Sequence, residues 1–421
     1  MAISKIIGAS VADDAIDVSD LGTIMSVGET APSSPFVGQR WYKASTAITY
    51  QYTNDGSSSF WLDISSGGIG TSSARGVDYV GDTDPLPNHN GGSATLSVGQ
   101  VYYNREKNKH FVCTTATDDA NVWSGRFAGA GGTVVTVLIG STYYRVHTFL
   151  KNSTFYVEDS MNVDYLVVGG GGGGANGGSN TGQGGGGAGG FRTAAGLAVA
   201  EQTTYSITVG AGGIAGTQGV QNDEGKDGGS SIFSSITSKG GGGGNGQEQQ
   251  ATTGLGSGGG GEGWTNSGAG NTGTAGQGTS GGTGTQTNGY GGGGGGGAGA
   301  GGGNGSGTNA GVGGVGENNI MGLNDADSDA LLTAASVGHD VGGLRYFAGG
   351  GGGGIGGSAN SIAAGGSGGG GSGSKAGGGV VDATHGLPNT GGGGGGGGGS
   401  TNSQNGGAGG SGIVIVRYAL N

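Results

Sequence analysis

The chain has 421 residues, a formal net charge of −12 and one cysteine, Cys113. An acidic balance disfavours nucleic acid and anionic membranes as partners, and a lone cysteine excludes an intramolecular disulfide framework. No apolar run nears the roughly 20 residues of a membrane span, and the length calls for several domains.

Residues 1–26 set Ile3, Ile6, Ile7 and Ile16 among small and acidic residues, too little to form a core alone. Ser10 suits the N-cap of a short helix through Asp13 to Ile16. The segment reads as an arm that orders against a partner, with the four isoleucines as attachment residues. Its apolar start meets Asp13 and Asp14 too soon for a signal-peptide core, so synthesis in the cytoplasm is expected.

An internal repeat follows. Val27-Gly-Glu-Thr-Ala-Pro32 matches Val80-Gly-Asp-Thr-Asp-Pro85, and Val37-Gly-Gln-Arg-Trp-Tyr-Lys43 matches Val98-Gly-Gln-Val-Tyr-Tyr-Asn104. Trp61 parallels Trp123. The two copies, 27–67 and 68–132, read as small β modules of two or three strands each. Their aromatics serve either as the core that so small a unit needs or as a platform for sugars; the core reading is favoured.

Residues 133–168 alternate or run apolar over 133–139, 143–149 and 154–157, which predicts a small antiparallel sheet leading into the rest. Asp164-Tyr165-Leu166-Val167-Val168 is expected to pair with Ile413–Tyr418 and to join the two ends of what lies between.

That remainder, 169–421, is dominated by glycine. The sequence has 118 glycines, only 18 of them before residue 169, so 100 of the last 253 residues have no side chain. Each costs roughly 0.5–1 kcal/mol relative to alanine in a regular element, so either the region is an unfolded Gly/Ser coil or glycine permits what any Cβ forbids. Low charge, uninterrupted runs at 169–174, 184–187, 240–244, 258–261, 291–297, 349–354, 368–371 and 391–399, and interspersed strand-like phrases favour order. The ordered solution is a bundle of polyglycine helices of the polyproline II type, with three residues per turn and no internal hydrogen bonds. Every backbone group must then find a partner on a neighbouring helix. The fold class expected is mainly β plus this bundle, with almost no α-helix. The segments 245–257, 262–290, 298–348, 372–390 and 400–411 are expected to be its loops.

Here the residues meet a known family. Asp164–Val168 followed by a glycine run resembles the glycine-rich domain of phage tail appendages. Gly184-Gly-Gly-Gly-Ala-Gly-Gly-Phe-Arg192, Tyr205-Ser-Ile-Thr-Val-Gly-Ala-Gly-Gly213 and Gly412-Ile-Val-Ile-Val-Arg-Tyr418 carry the same resemblance. The polyglycine sandwich is similar to that of the tail-fibre-tip adhesins of T-even-like phages over about 133–421, from which this chain departs by its N-terminal modules. The resemblance implies a rigid brick whose loops at one end touch a host receptor, either a surface glycan or an outer-membrane protein. It further implies a virion tail location, attachment to other tail proteins through the N-terminus, and a homotrimer. Trp264, Asn266, Tyr290, His385 and Asn389 are the candidate receptor contacts; the bland alternative is that the aromatics cover the bundle surface. A virion decoration or head fibre without a receptor is the competing structural reading. An ice-binding face would want regular Thr or Ala rows, which are missing.

Chemical motifs are weak. G-x-G-x-x-G matches lack a βαβ context, and Gly225-Lys226 is followed by Asp227, which excludes a phosphate loop. Asp325, Asp327 and Asp329 have calcium-loop spacing, but positions six and twelve are Ala330 and Ser336, so capping of a helix over 330–335 is expected instead. His89, His110, His147, His339 and His385 show no zinc-ligand spacing. No catalytic residue, metal or cofactor is expected, and no pair of carboxylates suggests a glycan-cleaving enzyme.

Overall fold

The computed structural model describes residues 25–420 except 38, 44, 46–47, 55–58, 64–78, 90–95, 99, 108, 118, 126, 179, 218–219, 221–222, 247–254, 265–267, 287–289, 358–360, 376–378 and 400–403. The expected N-terminal attachment residues Ile3, Ile6, Ile7 and Ile16 and contact residue Asn266 lie outside the described residues. The protein is mainly β, with one α-helix among the described residues. It divides into two compact units, Met1–Arg126 and Phe127–Asn421.

The first unit holds two sheets of the same design. Strands β1 (Met25–Val27), β2 (Arg40–Lys43), β3 (Ile48–Asn54) and β4 (Ser59–Asp63) form one, and β5 (Tyr79–Gly81), β6 (Val101–Asn104), β7 (Lys109–Thr115) and β8 (Val122–Gly125) form the other. In each, the first strand pairs parallel and the other three form an antiparallel meander. Large rings supply the interior. Trp41 and Trp123 are 8% and 4% exposed, and their indole N–H groups donate to Gly28 O at 3.0 Å and Leu86 O at 3.1 Å. Trp41 stacks on Tyr50 and Tyr102 meets Trp123 edge-on. The buried tryptophans are therefore core, not a sugar platform.

The second unit begins with β9 (Gly129–Ala130), which pairs with β12 (Ser153–Val157). Residues 127–132, grouped with the second repeat by sequence, thus pack with the glycine-rich unit. The single lead-in sheet expected over 133–168 is instead shared between two sheets. One runs β10 (Thr133–Ile139), β11 (Thr142–Phe149), β20 (Ile413–Ala419), β13 (Met161–Val168), β14 (Phe191–Val199). The other runs β17 (Ile236–Ser238), β16 (Ser231–Phe233), β15 (Thr203–Thr208), β12, β9. After the turn at 150–152 the chain crosses over, so that Phe149 and Phe155 meet edge-on and close the interior with Phe233, Tyr165 and His147. The expected clamp is present: β13 and β20 pair antiparallel from Asp164↔Arg417 to Val168↔Ile413. Arg417, 3% exposed in its side chain, grips the Asp164 carboxylate at 2.8 Å. The opposite face of β11, β13 and β20 is covered by α1 (Asp325–Ala334) and its flanks, through Leu166, Val168, Ile413, Ile415, Leu331, Leu332 and Phe347. Asn324 caps α1 by accepting from Asp327 N–H at 2.9 Å, so the helix expected near 330–335 starts five residues earlier. A hairpin, β18 (His339–Val341) with β19 (Leu344–Tyr346), follows it.

Between these strands lies the bundle. Within residues 169–177 no backbone N–H donates to the run itself, and the partners recur every third residue. Gly169, Gly172 and Ala175 donate to the carbonyls of Gly190, Gly187 and Gly184. Gly170, Gly173 and Asn176 donate to Gly229, Lys226 and Asp223, and Gly171, Gly174 and Gly177 to Gly410, Gly407 and Gln404. The same run accepts from Gly213 and Gly216, from Gly241 and Gly244, and from Gly394 and Gly397. Three directions out and three in place six neighbours around one helix with three residues per turn, the polyglycine II arrangement. Residues 184–190 repeat it, donating to 239–245, 293–296 and 391–394 and accepting from 169–175, 257–260 and 351. Glycine is required by contact, not by turning: a Cβ on Gly174 would lie 1.9 Å from Gly395 O, and one on Gly295 2.0 Å from Gly186 O.

The expected loops are corrected by this network. Residues 256–263, 268–273, 278–284, 300–305, 309–316, 381–387 and 404–412 also bond as bundle helices, and only shorter connections remain.

Candidate functional site

The bundle has two ends. At the sheet end Gly169 bonds to Gly190, Gly391 to Ser411 and Gly412 to Gly210. At the other end the chain reverses, and the described residues Gly178, Gly182, Gly263, Tyr290, Gly357 and Gly399 mark the ends of connections there. Gly263 N–H donates to Gly182 O at 2.8 Å and Gly357 N–H to Gly399 O at 3.0 Å, tying distant connections to one another. Ser306 and Asn309 exchange both backbone bonds across a tight turn, and Lys375 and Val381 also exchange both bonds. The run from 169 to 177 separates the two ends by roughly 25 Å at about 3.1 Å per residue.

Trp264 and Tyr290 both lie at this tip, half-buried. Their ring centroids are 5.4 Å apart at 32°. Trp264 N–H donates to the carboxylate of Glu262, which is 2% exposed, so the helix end positions the indole. Tyr290 has φ 52°, a left-handed backbone that bulky residues rarely adopt. Its carbonyl packs where a Cβ on Gly182 or Gly263 would sit, at 2.0 and 2.7 Å; the surrounding glycines leave the room that holds this conformation. At the same end of the bundle, the Asp223 carboxylate accepts from Thr217 N–H at 2.8 Å. That bond holds the Asp223 carboxyl below its ordinary range.

His385 and Asn389 are not part of this group. His385 projects from a perimeter helix, exposed, and its Nδ1 accepts from Ala408 N–H at 2.8 Å. Asn389, at φ 60°, donates its N–H to Ser411 Oγ at 2.9 Å in the turn before Gly391. Asn389 belongs to the sheet end, whereas His385 lies partway along the bundle, beside the helix whose Gly410 and Gly407 pair with Gly171 and Gly174. The connection between the first two runs supplies Gly182 to the tip, although the expected loops omit it. Its signal was the break of glycine by Asn176, Ser179, Asn180 and Thr181.

The tip offers aromatic surface and backbone-fixed polar groups, which suit non-covalent recognition. Among the described residues no three His, Cys, Asp or Glu side chains gather to hold a metal, and no helix is long and apolar enough to cross a membrane. No curated protein matches the chain. The glycine-rich domain family matches residues 148–419, from the end of β11 through β20. The chain therefore belongs to the glycine-rich domain family.

Proposed function

We propose that this protein is a phage tail-fibre or tail-tip protein that binds a host cell-surface glycan or outer-membrane protein without catalysis. The observation that carries the reading is the collection of connections at one end of a scaffold whose interior helices are each bonded to six neighbours, with the Trp264–Tyr290 pair among them. Such a scaffold holds its turns with little loss of freedom on binding, which favours affinity. In this reading the N-terminal arm, with Ile3, Ile6, Ile7 and Ile16, attaches to other tail proteins. The two small sheets act as spacer, and the protein assembles as a homotrimer in the virion. Trp264, Asn266 and Tyr290 remain the contact residues; His385 and Asn389, away from the tip, are set aside.

The test is binding of the labelled full chain to intact candidate host cells beside a non-host strain. Saturable, strain-specific binding supports the reading, and folded protein that ignores the true host contradicts it in favour of a virion decoration. Trp264→Ala should weaken host binding by about tenfold or more, as hot-spot aromatics do, while leaving thermal unfolding unchanged; undiminished binding removes Trp264 from the site.

A further inference from the structure

A second candidate site lies at the sheet end, away from the tip. The outer edge of β14 faces an open groove of about 660 Å³, within the roughly 300–1,000 Å³ of small-molecule sites. Phe191 and Arg192 line it from the start of β14. Gln277 does so from the turn between two perimeter helices, and Glu317 and Asn319 from the stretch leading to α1.

The frame is fixed by the protein's own bonds. Phe191 N–H donates to Gln277 O at 2.8 Å, Gln277 Oε1 accepts from Lys239 N–H at 2.9 Å, and Glu317 exchanges both backbone bonds with Phe347 at 2.9 Å. Two hydroxyls on the lining are already engaged. Thr193 donates to Tyr165 O and accepts from Met321 N–H, and Thr279 bonds the carbonyls of Gly297 and Ala300. What remains is specific. The Arg192 guanidinium makes one long bond, 3.4 Å to Thr237 O, and has no ion-pair partner among the described residues. The Glu317 carboxylate likewise has no side-chain partner among them. The Gln277 amide keeps its NH₂ group, and the Asn319 side chain is exposed.

A planar fork of donors selects a carboxylate. A carboxylate and an amide nearby accept from hydroxyls, and a half-buried ring flanks an apolar face. A free amino acid would meet the two charges but leave most of the groove and both amides unused. We propose that this groove binds an acidic saccharide, its carboxylate on Arg192 and the Gln277 amide, its hydroxyls on Glu317 and Asn319, and its apolar face on Phe191.

Isothermal titration of the full chain with sialyllactose, beside lactose as its uncharged counterpart, tests this. Saturable binding of sialyllactose is expected, with lactose at least about tenfold weaker, as loss of a charge-assisted hydrogen bond predicts. Arg192→Gln should abolish the preference for the acid, and Glu317→Gln should weaken both ligands, with unfolding temperatures unchanged. Absence of saturable binding overturns the proposal, as does binding unaltered in both variants. The assay uses no host cells, so its outcome is independent of the receptor-binding reading.

Discussion

The two units of this protein solve the interior problem in opposite ways. The N-terminal sheets bury side chains: Trp41, Tyr102, Phe111 and Trp123 fill units of some forty residues, with indole N–H groups satisfied by nearby carbonyls. The glycine bundle buries backbone. Its interior helices have almost nothing to remove from water except peptide groups, and it satisfies those by bonding each helix to others in a three-residue rotation. In the first unit the hydrophobic effect dominates and shape is tolerant within a volume limit. In the second, close approach is everything, because a buried peptide group without a partner is costly. The strands at the bundle's base combine both, with Phe149, Phe155 and Phe233 inside and the β13–β20 pair joining the ends.

This contrast can be broken at chosen points. The largest effect is expected for Gly294→Val, whose Cβ would lie 1.9 Å from Val312 O. It should cost more than about 4 kcal/mol and open the C-terminal unit to limited proteolysis while the N-terminal sheets stay resistant. Trp123→Ala should do the reverse, removing about 3–5 kcal/mol from its own module and leaving the unfolding transition of the bundle in place.

The interface between the two sheets of the second unit should respond to acid. His147 is fully buried, its Nδ1 donates to Gly131 O at 2.7 Å, and burial lowers its pKa from 6.5 to about 4. The unfolded chain takes up this proton below about pH 6.5 and the folded chain only below about 4. Stability is therefore full above pH 6.5 and declines as pH falls toward 4, by about 3 kcal/mol at 1.36 kcal/mol per pH unit. Denaturant unfolding between pH 7 and 4 should show this slope, and His147→Gln should flatten it.

Much of this architecture was legible in the sequence. The uninterrupted glycine runs mark interior helices, where every side of the backbone meets another chain. The strand phrases at 133–139 and 413–418 are β10 and β20 nearly residue for residue. Perimeter helices resemble loops in sequence for a physical reason: only their inward residues must be glycine. In 309–316 the glycines at 311, 313, 314 and 316 face neighbours, while Val312 and Val315, three residues apart, point outward and are 54% and 45% exposed. The same pattern hid the helix bearing His385, which therefore looked like part of a tip loop. β14 is hard to read from sequence because Arg192, Thr193, Ala194, Ala195 and Gly196 do not alternate; it is an edge strand with a bulge opposite Asp164, where Asp164 accepts the Gly196 N–H. The Trp264–Tyr290 pairing was not visible from sequence, since it depends on two helix ends meeting across Gly182.

The most direct measurement compares the thermal unfolding of Gly174→Ala and Gly301→Ala in the full chain. Neither position has a left-handed backbone. A Cβ at Gly174 would lie 1.9 Å from Gly395 O, whereas at Gly301 the nearest atom, Ser280 O, is 3.5 Å away. If backbone contact is what glycine secures, Gly174→Ala should lower the bundle's melting temperature by several degrees or more, and Gly301→Ala should leave it unchanged or raise it slightly by reducing the freedom of the unfolded chain. Equal melting of the two variants would contradict a bundle held by packed backbones.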